Sequence, residues 1–111
     1  MNVAVKQLSE LPKEKVSGHQ GFESYSLAEV SGKNVTVRML VVAPGGVGPV
    51  PAHQHPDVHF FHVIEGTLSL TIEKETHKIS KGECIEVPAG CIHQLQNNGS
   101  EKTRVLAVKW G

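Results

Sequence analysis

Six of the seven histidines lie between residues 53 and 93, and the spacing of four of them is suited to holding a metal ion. His53 and His55 are separated by one residue, so in a β-strand both imidazoles point to the same face. His59 opens the next apolar segment, and His93 follows the turn sequence Pro88-Ala-Gly90 further along the chain. Several buried neutral imidazoles would each need a hydrogen-bond partner, whereas one divalent cation satisfies them together. The spacing therefore predicts a site for one divalent transition-metal ion on His53, His55, His59 and His93.

The position of His59 in its segment indicates which side chains surround the metal. In a strand His59 shares a face with Phe61 and Val63, which would line an apolar cavity, while His62 points to the opposite face. His59 could instead be a hydrogen-bond donor behind the ligands, or could lie near the metal without binding it, and ligation is the interpretation we favour. Cys91 could border the cavity or pack as a small buried hydrophobe, and we favour the second. The remaining histidines are expected to be solvated and uninformative: His19 and His77.

The elements that must position these residues are short β-strands. Segments rich in β-branched and aromatic residues recur every eight to twelve residues, separated by Gly, Pro and Asn. The predicted strands are 22–30, 35–42, 58–65, 67–73, 77–80, 84–87, 91–96 and 103–110. A helical turn is predicted within 8–15, broken by Pro12. Many short, evenly spaced strands predict an all-β sandwich or barrel.

Composition limits the function classes. The 111 residues suffice for one domain, and the 39% hydrophobic content is typical of a globular protein. Lys+Arg and Asp+Glu are 11 each, and without a basic cluster the chain has no electrostatic reason to bind nucleic acid or an anionic membrane. No apolar run approaches the roughly eighteen residues of a membrane span. We therefore expect neither nucleic acid nor membrane as a partner.

The cysteines and the surface charge lead to two further expectations. The N-terminus lacks the apolar run of a signal peptide, so we expect a cytoplasmic location and reduced thiols at Cys84 and Cys91, with a disulfide between them as the less favoured alternative. A net charge of +0 offers no repulsion between copies, and apolar residues such as Phe60 and Ile64 alternate with His62 on the outer strand face. These features predict a homodimer.

Two segments resemble the paired motifs of the cupins. Residues 48–66, with His53-Gln-His55, His59 and Gly66, resemble the first motif, except that its leading Gly is one residue closer and His59 stands where the family has Glu. Residues 82–97, from Gly82 through Pro88-Ala-Gly90 and His93 to Asn97, match the second motif at every position, and fifteen residues separate the two. The resemblance implies a small jelly-roll barrel (a double-stranded β-helix) in one domain over residues 1–111, with a barrel core of about 35–110. Some small cupins are similar in presenting four histidines to the metal.

The resemblance also limits what can be expected of the function. Cupins of this size include dioxygenases acting on enolic or phenolic compounds, so a metal-dependent dioxygenase with a small-molecule ligand is the expectation that we favour. One fold hosts many chemistries, however, and a non-catalytic small-molecule or metal sensor and an isomerase or lyase remain alternatives. No catalytic residue and no substrate follows from the sequence, and the metal could be Mn, Fe, Ni, Zn or Cu. The roles of residues 1–20, Cys84 and Cys91 also stay open.

Overall fold

The computed structural model of this chain describes residues 3–30, 32–54 and 56–111, and it is nearly all β. The strands in these ranges are β1 Lys13–Lys15, β2 Gln20–Val30, β3 Val35–His53, β4 Val58–Glu65, β5 Thr67–Ile72, β6 Glu75–Ser80, β7 Cys84–Val87, β8 His93–Gln96 and β9 Thr103–Trp110. A 3-10 turn covers Leu8–Glu10. The predicted all-β barrel is confirmed. The predicted helical turn is shorter than expected, because the residues after Pro12 pair with β2 as strand β1.

Strand β3 is much longer than the sequence predicts. The prediction ended this strand at Val42, before Pro44 and two glycines, whereas the observed strand continues to His53. It continues because it changes partner: residues 35–42 pair with β9, and the segment from Val47 to His53 pairs with β8, with a register shift between Gly48 and His53. The prolines are tolerated where the ladder is interrupted, since Pro cannot donate a backbone hydrogen bond.

This change of partner joins two antiparallel sheets into a barrel. One sheet has the order β7-β4-β9-β3-β2-β1, and the other has the order β3-β8-β5-β6. Gly66 connects β4 and β5 with φ of +80°, and a Cβ there would lie 2.6 Å from Thr103 Oγ1, so this sharp turn requires glycine. Because β3 belongs to both sheets, residues far apart in sequence meet across the barrel interior.

Alternating side chains of the strands fill the interior. On β4, Phe61 and Val63 are buried as the two-residue period predicts. Asn97 is also fully buried, and its side-chain amide donates to the carbonyls of Val42 and Glu101 at 2.9 and 2.8 Å. Asn97 thereby fastens the β8–β9 connection to β3. The buried apolar residues are Phe22, Val42, Phe61, Val63, Leu68, Leu70, Ile79, Val87, Leu95 and Val105.

The outer face of β3, β9 and β4 also carries apolar side chains in register. Leu106 lies between Met39 and His62 on the two neighbouring strands, and Trp110 lies beside Val35. These side chains are half-buried by their neighbours and are not part of the core. In the described part of the chain no helix is long and apolar enough to span a membrane.

Candidate metal centre

Three of the predicted ligands are carried by strands that meet at one end of the barrel. His53 is the last residue of β3 and is the register partner of His93, the first residue of β8. His59 lies on β4 and faces the barrel interior, where its ring stacks on Phe61 at a centroid distance of 5.6 Å. The change of partner in β3 thus brings His53 to His93, and the closure of the barrel brings His59 to His93.

The distances between these rings approach those of ligands to a single ion. The ring centroids of His59 and His93 are 4.9 Å apart, and those of His53 and His93 are 5.7 Å apart. Two imidazoles on one ion with metal–nitrogen distances of about 2.0–2.1 Å place their centroids roughly 4.5–5.2 Å apart at coordination angles near 90–110°. The pair His59–His93 fits this range, and His53 lies slightly outside it. As they stand, no three His, Cys, Asp or Glu side chains among the described residues form a complete metal-binding group.

His55 lies outside the described residues, so the prediction of a fourth ligand there stays a prediction. His62 points to the outer face of β4, as the sequence predicts, opposite Cys84 on β7 and Leu106 on β9. The expectation of a fully interior imidazole cluster is only partly right. His93 is 4% exposed and His59 is half-buried, but His53 is exposed because it lies at the end of β3, on the barrel rim.

The environment of His93 fixes its chemistry. Its Nδ1 lies 3.1 Å from the backbone carbonyl of Cys91, and since a carbonyl only accepts, Nδ1 carries the proton. In the neutral ring Nε2 is then the nitrogen that carries the lone pair. Desolvation lowers the pKa of His93, the bond to the Cys91 carbonyl raises it, and the nearby His53 lowers it further, with a net decrease. A neutral imidazole oriented through its second nitrogen is the form in which histidine binds metals.

His19 is the cavity residue that sequence reasoning missed, and the expectation that it is solvated and uninformative is wrong. It is half-buried, its ring meets Phe22 edge-on at 4.8 Å, and its Nδ1 donates to the Ser17 carbonyl at 2.7 Å. Burial lowers its pKa against the opposing effect of the Ser17 bond, and His53 and His93 add smaller decreases. His19, which follows the turn at Ser17 and Gly18, lies 34 residues before His53 in the sequence, so no local spacing connects the two histidines.

The position of the His19 side chain explains why residue 48 is a glycine. A Cβ at Gly48 would overlap the imidazole ring of His19 and would lie 2.7 Å from the Cβ of His19. Gly48 is buried, so the His19 ring lies directly on the backbone of β3. The glycine that opens the first motif therefore has a steric role in this chain: it makes room for the ring of His19.

The histidines border a cavity of about 470 Å³ with largely apolar walls. The cavity extends from the barrel rim, where His53 is exposed, to Phe61. Phe61 lines it as the sequence predicts, whereas Val63 lies deeper, in the core. The apolar lining residues are Val16, Phe22, Leu40, Pro49, Phe61, Leu95, Ala107 and Val108. A space of this size and polarity is typical of a small-molecule site.

Three charged residues lie in the cavity wall. Lys109 Nζ is 3.9 Å from Asp57 Oδ2, so these two charges largely offset each other. Arg38 projects from β3, and the contacts of its guanidinium with the described residues are long, 3.4 Å to Ser24 Oγ and 3.8 Å to Glu29. The wall therefore carries a net positive charge at Arg38.

Neither cysteine lines the cavity. Cys84 is exposed and Cys91 packs against the core, and both are free thiols, as the sequence predicts. Cys91 contributes to the site through its backbone carbonyl alone.

Residues 38–109 match the family model described as "Cupin domain". A mannose-1-phosphate guanylyltransferase of Salmonella typhimurium is 32% identical over 81 residues, which cover 73% of this chain and 17% of that enzyme. An uncharacterized protein of Streptomyces coelicolor is 30% identical over 76 residues, 68% of this chain and 70% of that protein. A quercetin 2,3-dioxygenase of Bacillus subtilis is 33% identical over 70 residues, 61% of this chain and 20% of the enzyme. The chain thus spans only about a fifth of the two enzymes.

Solved structures show the same fold at lower sequence identity. A predicted oxalate decarboxylase of Thermotoga maritima superposes with a TM-score of 0.83 at 21% identity, covering 96% of this chain and 98% of that one. The polyketide cyclase RemF of Streptomyces resistomycificus also gives 0.83 at 21% identity, covering 98% and 80% of the two chains.

Proposed function

This chain belongs to the cupin family, and we propose that it binds one divalent transition-metal ion on His53, His55, His59 and His93 and acts as a dioxygenase on an enolic or phenolic substrate. The observation that carries the proposal is the convergence of His53, His59 and His93 on one apolar cavity. Cupins often bind a metal, which agrees with this placement.

The donor set fits a transition metal by its chemistry. Imidazole suits zinc, copper, iron and nickel, whereas a carboxylate in the position of His59 would favour harder ions such as manganese. Four neutral ligands leave the full positive charge on the ion. When bound, the metal would supply a Lewis acid that favours ionisation of an enol or phenol.

The protein's own contribution is orientation and exclusion of water. The Cys91 carbonyl holds the proton of His93 on Nδ1 and so directs Nε2 towards the ligand position. Phe61, with its ring stacked on His59, and Leu95 and Phe22 present an apolar surface to the substrate. An apolar enclosure strengthens electrostatic interactions within it and protects reactive species from water.

The cavity walls favour an enol or phenol over a sugar. A sugar ring requires many polar partners, whereas most of the surface that this cavity presents is apolar. The relative named as a quercetin dioxygenase and the relatives named as mannose-1-phosphate guanylyltransferases match over only 20% and 17% of their lengths. The choice between these substrate classes therefore rests on the cavity walls. The competing function is a non-catalytic sensor that binds a metal or small molecule in the same cavity.

Metal binding is tested by elemental analysis of the purified protein. We expect roughly one first-row transition ion per chain, and loss of most of it in His53→Ala and in His93→Ala. His77→Ala is the matched control, because His77 lies on β6 outside the cavity, where it faces Glu75 at 3.5 Å. Equal metal content in all four proteins would refute the assignment of the site.

Turnover distinguishes the enzyme from the sensor. A panel of enols and phenols is screened for oxygen uptake by the metal-free protein and by the same sample after addition of Fe²⁺, Ni²⁺, Cu²⁺, Mn²⁺ or Zn²⁺. An enzyme should consume oxygen only after metal is restored, and His93→Ala should abolish that uptake. Tight binding of a panel member with no oxygen uptake under any metal would favour the sensor.

A further inference from the structure

We propose that the cavity accepts a substrate that carries a carboxylate in addition to its enolic or phenolic oxygens, and that Arg38 binds this carboxylate. The proposal names the substrate class of the function proposed above and rests on it. It follows from the position of Arg38 in the sheet and from the charges of the cavity wall.

The register of the sheet places Arg38 on the same wall as the histidines. Arg38 pairs with Ala107, which pairs with Phe61, so these three residues form one row across the inner face of β3, β9 and β4. Lys109 and His59 lie in the adjacent row. All of these residues line the cavity.

This placement separates Arg38, the proposed binding site of the carboxylate, from the predicted metal ligands. Two strand spacings and one two-residue step, roughly 12 Å, separate the Cα atoms of Arg38 and His59. Between them lies the apolar surface of Ala107 and Phe61. A ligand that reaches both ends therefore has an apolar body, such as an aromatic ring, with oxygens at one end and an anionic group at the other.

Arg38 is the cation that remains available for such a group. Lys109 shares the cavity wall with its acidic partner Asp57 at 3.9 Å. Arg38 has a neutral hydroxyl at 3.4 Å and Glu29 at 3.8 Å, and Glu29 is exposed and is not among the residues that line the cavity. Both contacts are long for a guanidinium, which prefers two parallel bonds of about 2.7–2.9 Å to a carboxylate. A substrate carboxylate would supply that geometry, and the half-buried position of Arg38 would strengthen the interaction.

The test compares matched probes with and without the charge. The first arm uses metal-free protein at pH 8, titrated with benzoate or benzamide and followed by NMR. The second arm uses Zn²⁺-loaded protein titrated with 3,4-dihydroxybenzoate or catechol, and catechol is also titrated into the metal-free protein. Each is repeated with Arg38→Gln, Arg38→Lys and the control Arg104→Gln, since Arg104 is an exposed arginine on β9 outside the cavity.

We expect the carboxylate to improve affinity about tenfold or more in both arms, an advantage lost in Arg38→Gln, partly kept in Arg38→Lys and unchanged in Arg104→Gln. Benzamide and catechol should bind the Arg38 variants as they bind the parent, which shows that the cavity is intact. Equal affinity for the charged and neutral probes, or an advantage that survives Arg38→Gln, would overturn the proposal. Failure of the proposed metal site would appear differently: catechol would gain nothing from Zn²⁺, while benzoate would still depend on Arg38.

Discussion

The contact between Gly48 and His19 gives a quantitative prediction. In Gly48→Ala the new methyl group would overlap the His19 ring, so the ring must leave its position. It would lose the 2.7 Å hydrogen bond to Ser17, worth about 1 kcal/mol, and the edge contact with Phe22, worth about 0.5–1.5 kcal/mol. We therefore expect Gly48→Ala to lower the free energy of unfolding by about 2 kcal/mol, within the usual range for an overpacked site.

A double-mutant cycle isolates this contact. In a chain that already carries His19→Gly, both the His19 ring and its Cβ, which would lie 2.7 Å from the new methyl group, are gone, so adding Gly48→Ala should cost far less than in the parent. The four proteins are unfolded in urea with a chelator present, and the transition is followed by fluorescence of Trp110, the single tryptophan. A cost for Gly48→Ala that is the same with and without the His19 ring would refute the reasoning, because it would mean that another neighbour restricts position 48.

Three further predictions follow from the site and the surface. Burial lowers the pKa of His93 and of His19 in the folded protein. In the unfolded chain both side chains have the ordinary pKa near 6.5, so at acidic pH the unfolded state binds more protons than the folded state. The free energy of unfolding of the metal-free protein should therefore be constant above pH 6.5 and should decrease as the pH falls below that value. The decrease per pH unit should be a fraction of about 1.4 kcal/mol, the contribution of one proton. Urea titrations from pH 5 to 8 that show no such decrease would contradict this. The apolar outer face around Leu106 supports a homodimer; light scattering should give a dimer mass for the parent and a monomer for Leu106→Asp, and a monomeric parent at micromolar concentration would exclude it. If His59 is a ligand, His59→Glu should retain metal and shift the preference towards Mn²⁺, whereas His59→Ala should weaken binding less than His53→Ala; unchanged metal affinity and unchanged spectra of Co²⁺-loaded His59→Ala would show that it is not one.

Much of the fold follows from local features of the sequence. The bounds of β4, β7 and β9 were predicted to the residue, because β-branched runs end at clear Gly and Pro breaks. The two-residue period likewise placed His59 and Phe61 inside and His62 outside. The paired motifs predicted the cupin barrel, since motif residues such as Asn97 have fixed structural roles there.

The tertiary structure decided what local patterns do not encode. Strand β3 continues through three prolines because it exchanges β9 for β8 as its partner, and partner choice is a long-range property. That exchange places His53 on the barrel rim rather than in the interior.

Which side chains line the cavity was likewise decided by long-range pairing of strands. His19 reaches the cavity from a turn early in the chain, and Arg38 enters it only because its row across the sheet contains Phe61. Spacing in the sequence identifies residues that share one strand or one turn. The pairing of distant strands depends on the burial of apolar surface throughout the barrel. This pairing determines which charged side chains and which imidazoles a ligand contacts in the cavity.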